Sequence, residues 1–139
     1  MKKYRVKLKF IFLFIISLSI NFLSFSQSPI GAWERFYEDD NGIMVRSIVI
    51  FSEKFQSIAM YNAKSGEFIY SNGGTWDLKD NIMTEKVEFD TANSERVGDT
   101  LTFEVKITND KLSLPSSDWH FSKIDDGTPG DLDGAWLMS

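Results

Sequence analysis

The chain of 139 residues has no cysteine, one histidine and three prolines. Without cysteine it can form no disulfide, no thiolate nucleophile, no thiolate zinc site and no lipidated cysteine anchor. The single histidine, His120, has no second imidazole to share a metal with and no nucleophile beside it in sequence. A Ser–His–acid or Cys–His arrangement is therefore not indicated. Glycine-rich phosphate loops are missing as well, because Gly73-Gly74 lacks the rest of such a pattern. Beyond the N-terminus, no stretch keeps a 3.6-residue apolar period over helical length. These absences predict a non-enzymatic, β-rich protein with no metal and no cofactor.

The N-terminus is of a different kind. Residues 1–9 carry five cations, Lys2, Lys3, Arg5, Lys7 and Lys9, and no acid. An apolar stretch from Phe10 to Phe25 follows, broken by Ser17, Ser19, Asn21 and Ser24. This order matches the basic and apolar regions of a secretory signal peptide, with cleavage after Ser26 or Gln27. The alternative is an uncleaved anchor, but the run is shorter than the ~20 residues a spanning helix needs and is interrupted by polar groups. The sequence predicts a signal peptide over 1–27, a secreted or periplasmic location and no stable membrane anchor. Removing 1–27 leaves ten cations against twenty acids, a net charge of −10. So acidic a domain repels nucleic acid and anionic lipid surfaces. About 112 residues remain, enough for one domain whose stability must come from its core.

That remainder reads as strands and turns. Runs rich in β-branched and aromatic residues cover 32–37, 43–51, 55–61, 68–70, 74–78, 82–89, 101–107, 111–114 and 119–123. The turns between them have suitable chemistry: Asn41-Gly42, residues 62–66, Lys79-Asp80-Asn81 and Asn109-Asp110. In 101–107, Leu101, Phe103, Val105 and Ile107 share one face while Thr102, Glu104 and Lys106 share the other, as expected for a strand with one wet face. Short hairpin-connected strands without βαβ alternation predict an all-β antiparallel meander over 28–124, as a barrel or sandwich.

One carboxylate breaks the pattern. Glu85 shares a strand face with Met83, Val87 and Phe89, the face expected to point inward. A buried carboxylate is costly unless paired. Arg46, on an expected inward face with Met44, Ile48 and Ile50, or Arg35 could pair with it. Two readings stay open at this point. Glu85 is either part of a structural ion pair or turned outward by a bulge, or it is a polar anchor for a ligand head group in an apolar cavity. Tyr37, Tyr61, Tyr70 and Trp76 are plain core or cavity lining. The candidate ligand-binding set is Arg46, Tyr70, Trp76 and Glu85. For His120, lying between Trp119 and Phe121, alternation predicts a solvent-facing side chain.

Ile30-Gly31-Ala32-Trp33 at the start of the first strand is followed by Gly73-Gly74-Thr75-Trp76, by 81–89 with Thr84-Glu85, by Val97-Gly98 and by 101–107. This ordered set resembles a bacterial secreted lipocalin-like domain, a family of unknown function, over residues 28–124. The resemblance implies a small up-and-down barrel with a central cavity. It also implies that Trp33 plugs the closed end and that Lys123 packs over it as the barrel-closing cation. The chain is short and lacks the helix that follows the barrel in larger lipocalins. The function implied is noncatalytic binding of a small, partly apolar ligand. The alternative is a structural or interaction module with a filled core.

Residues 125–139 have linker composition and then repeat Gly-Ala-Trp at Gly134-Ala135-Trp136. The repeat predicts the start of a second copy of the domain; otherwise it is a coincidence, with Trp136 covering the barrel end. Asp131-Leu132-Asp133-Gly134 hints at a calcium loop, but no glutamate stands at a twelfth position.

Overall fold

Alternating side chains become the inside and outside of one curved sheet. The computed structural model describes residues 27–125. The expected signal peptide over 1–27, all but Gln27, and the repeat and calcium readings of the tail lie outside the described residues. The strands in chain order are β1 (Gly31–Glu38), β2 (Met44–Phe51), β3 (Phe55–Asn62), β4 (Phe68–Lys79), β5 (Ile82–Asp90), β6 (Thr100–Glu104), β7 (Lys106–Ile107), β8 (Lys111–Leu114) and β9 (Trp119–Lys123). A 3-10 turn at Ser94–Arg96 joins β5 to β6.

The strands form one antiparallel sheet in the order β6-β5-β4-β3-β2-β1-β9-β8-β7. Its two end strands, β6 and β7, are separated in the chain by Val105 alone. The Val105 N–H donates to the Asn81 carbonyl at 2.8 Å, extending the β5–β6 ladder to that residue. The sheet is thus a nearly closed barrel, joined between β6 and β7 by the continuous chain rather than by a ladder. Antiparallel connectivity places the β1–β2, β3–β4, β5–β6 and β8–β9 connections at one end. The opposite end holds the chain entry and the β2–β3, β4–β5 and β7–β8 turns. The two-residue turn Asp80-Asn81 has positive φ at both positions, 51° and 64°, as a type I′ hairpin requires.

The core fills the second end. Trp33, 1% exposed, packs with Val49, Phe51, Met83, Val105, Leu112 and Phe121. The Trp33 indole N–H donates to the Pro29 carbonyl at 2.7 Å, so the entering chain caps the ring. Lys123 Nζ lies 5.4 Å from the Trp33 ring centroid. That distance is within cation–π reach.

The structure corrects the expected inner face of β2. Val45, Ser47, Val49 and Phe51 are buried, while Met44 and Ile50 are about half exposed. Both faces of this strand are apolar, so alternation alone does not choose between them. Register chooses: Trp33 on β1 stands opposite Val49, and Arg35 opposite Ser47. Two expected strand ends also move. Residues 68–70 and 74–78 are parts of one strand, β4, which runs through Gly73-Gly74. The expected strand 101–107 is divided at Val105, where its pairing passes from β5 to β8.

Candidate functional site

The open half of the barrel holds a cavity of about 420 Å³. Its depth is apolar, with Val49, Phe51, Met83, Val105, Leu112 and Phe121 below and Ile58, Met60, Leu101 and Phe103 on the walls. Tyr70, Arg96, Ser116, Ser117 and Trp119 stand toward the mouth, which the connections of that end surround. Gln56, Asn72 and Glu85 are the polar side chains set into the walls.

Strand alternation puts Glu85 there. Met83, Glu85 and Val87 follow one another on the inner face of β5. In register, Glu85 stands opposite Trp76 of β4 and Leu101 of β6. A bulge does occur in β5, but beyond Glu85. Gly73 pairs with Phe89 and Gly74 with Val87, so Glu88 is the extra residue. The bulge turns Phe89 outward, 40% exposed, and leaves Glu85 facing the cavity. Among the described residues the Glu85 carboxyl makes no ion pair and no hydrogen bond. Burial pushes its pKa up to about 7, opposed by the Arg96 charge.

Arg96 is committed elsewhere. Its Nη1 lies 3.0 Å from Asp90 Oδ2, and the Asp90 side chain is 2% exposed. Asp90 Oδ1 accepts from the backbone N–H groups of Ala92 and Asn93, both at 2.9 Å. The Asn93 bond, the Ala92 bond and the Arg96 charge together hold the Asp90 carboxyl below its ordinary value despite burial. This small network ties the β5–β6 connection down at the cavity mouth.

Arg35 also faces the barrel interior, on the same side of β1 as Trp33. Its guanidinium carbon lies 4.3 Å from the Tyr37 ring centroid and 4.5 Å from that of Trp119. Burial lowers its pKa, while Tyr37, Asp118 and Tyr70 act the other way. Arg35 does not pair with Glu85. Burial likewise raises the Tyr70 hydroxyl, helped by Tyr37 and Asp90.

Of the four candidate ligand-binding residues, the structure brings Tyr70 and Glu85 together in the cavity wall. Arg46 is placed outside the barrel, where Nη2 lies 2.8 Å and Nε 2.9 Å from Glu34 Oε2. This follows from the corrected β2 face. Trp76 packs edge-on against Phe51 at 5.5 Å, and its indole N–H donates to the Ser52 carbonyl at 3.0 Å. It supports the core without lining the cavity. Tyr61 faces outward against Phe68 at 5.9 Å. The His120 side chain is 68% exposed, beside Asp118. Sequence reasoning missed Arg96, Gln56 and Asn72. Arg96 sits in an irregular connection without periodicity. Gln56 and Asn72 lie on strands, where alternation with Ile58 and Met60 and with Tyr70 marks them.

The fold and site define a cavity-bearing antiparallel β-barrel. No protein-family model and no curated protein matches the chain.

Proposed function

We propose that this is an exported, noncatalytic binding protein of lipocalin-like type, holding a small, partly apolar ligand inside the barrel. The observation that carries this reading is the apolar cavity of about 420 Å³ with an unpartnered carboxyl in its wall. Ligand sites are typically concave, mostly apolar and furnished with a few placed polar groups, in volumes of roughly 300–1,000 Å³. A barrel filled by its own side chains would leave no such space. Export is supported by the basic and apolar segments of residues 1–27.

A specific observation favours a second reading, an interaction module acting through its surface. Phe36 and Phe68, more than half exposed on the outer wall, stand in one cross-strand row with Arg46 and Tyr61 between them, and exposed apolar clusters can mark contact surfaces.

Native mass spectrometry of the chain produced in an exporting bacterial host separates the two. The ligand-binding reading expects a retained adduct of a few hundred daltons. Leu101→Trp, which fills the cavity, is expected to lose it, and Arg46→Ala, outside the barrel, to keep it. A clean apo mass, with no uptake from a panel of small hydrophobes, overturns the ligand reading in favour of the surface module.

A further inference from the structure

Resting on that reading, we propose that the occupant is a compact apolar molecule carrying one protonated amine, its ammonium seated on the Glu85 carboxylate inside the cavity. Three observations support a cation rather than an anion or a neutral group.

The first is the lack of a partner. The Glu85 carboxyl has no ion pair and no hydrogen bond among the described residues, and its surroundings are chiefly apolar. A carboxylate in such a place is costly alone, and a guest ammonium would satisfy it with a charge-assisted hydrogen bond. The second is that the cation sharing the cavity lining is already engaged. Arg96 is bound to Asp90 at 3.0 Å, and a turn toward Glu85 would leave a buried carboxylate without its counter-charge. The third is the field of the molecule. Outside residues 1–27 the chain carries twenty acids against ten cations, which draws cations toward it. An acidic guest would bring a second negative charge to Glu85. Arg35, the other cation near the mouth, is flanked by the Tyr37 and Trp119 rings.

The amine should bind more tightly as pH rises. Burial holds a proton on Glu85 up to about 7, and the ammonium must displace that proton. Of the charged and titratable groups on the elements around Glu85, Tyr70 of β4 and Arg96 of the 3-10 turn share the cavity, and Asp90 is held by Arg96. Asp77 and Lys79 of β4, Lys86 and Glu88 of β5, Glu95 of the turn and Glu104 of β6 are exposed to solvent. Tyr70, raised by burial, does not ionise near neutrality.

Equilibrium dialysis of the full chain against three probes with one skeleton tests this: naphthylmethylamine, naphthylmethanol and naphthoic acid. At about pH 8 the amine is expected to bind at least about tenfold tighter than the alcohol or the acid. Its affinity should fall roughly 30-fold at about pH 5.5, while that of the alcohol stays level. Glu85→Gln should abolish both the preference and the pH dependence. If the alcohol or the acid matches the amine, or the variant keeps the preference, the amine assignment fails while the binding cavity stands. If no probe binds at either pH, both readings fall. The wild-type comparison decides without the variant.

Discussion

Glu85 is the residue at which this sequence departs most from its own pattern, and its placement has a measurable consequence. Its ordinary pKa of 4.5 is raised to about 7 in the fold. Below the ordinary value the carboxyl is neutral in both folded and unfolded chains, so it costs nothing. Between the two values the unfolded chain releases the proton while the folded chain retains it. Stability therefore falls as pH rises through that window and levels off above it. The full shift corresponds to up to ~3 kcal/mol. Glu85→Gln keeps the size and removes the titration. The variant should melt several degrees above the parent at about pH 8 and close to it at about pH 4.5. Thermal unfolding of both proteins at the two pH values checks this. An equal difference at both would mean that Glu85 is not desolvated. The oddity of this carboxyl was legible in sequence, because Met83, Glu85 and Val87 alternate. Its isolation was not, because the two arginines offered as partners are drawn off by Glu34 and by the rings of Tyr37 and Trp119.

At the scale of elements, β4 shows where local reading ran out. Gly73-Gly74 looks like a break between two short strands, and glycine in a strand is indeed unfavourable by propensity. Here it marks a crossing where neighbouring backbones come too close for any side chain. A Cβ on Gly74 would collide with the Lys86 carbonyl of β5, and one on Gly73 with the Gln56 carbonyl of β3. The Phe89 ring, turned outward by the bulge at Glu88, lies against Gly73. Bulge and glycines form one device that curves the sheet. Gly74→Ala should cost about 2–4 kcal/mol, because backbone must move. Gly66→Ala is the control: Gly66 has a φ of 75°, but its Cβ position is clear of neighbours within 4 Å. Strain alone should then cost roughly 1–2 kcal/mol. Urea unfolding of the two variants measures the difference, and equal losses would remove the close-approach account. The strands with one polar face were legible for the same physical reason that β2 was not. Thr102, Glu104 and Lys106 identify a wet side, whereas Met44, Ile48 and Ile50 disguise one.

For the molecule as a whole, the barrel is not equally firm around its circumference. β1 and β2 pair along their full length, from Gly31 opposite Phe51 to Glu38 opposite Met44. On the other side of β1, only Trp33 opposite Lys123 and Glu34 opposite Ser122 join it to β9. The Ile124 N–H donates to the Ala32 carbonyl at 2.9 Å, and the Asp125 carboxylate accepts from the Ala32 N–H, extending this seam slightly. β7 joins β8 through Lys106 opposite Ser113 and Ile107 opposite Leu112 alone. Local opening should therefore begin in β6–β9, which have the fewest ladder pairs, and the β2–β4 wall should open last. These weaker strands carry Leu112, Leu114, Trp119 and Phe121, all of which line the cavity. Hydrogen exchange should be fastest in β6–β9 and slowest in β2–β4. An amine that occupies the cavity should slow exchange most at Leu112, Leu114 and Phe121, because it adds contacts where the empty barrel has fewest. Slowing confined to the outer face around Phe36 and Phe68 would place the occupant outside the cavity.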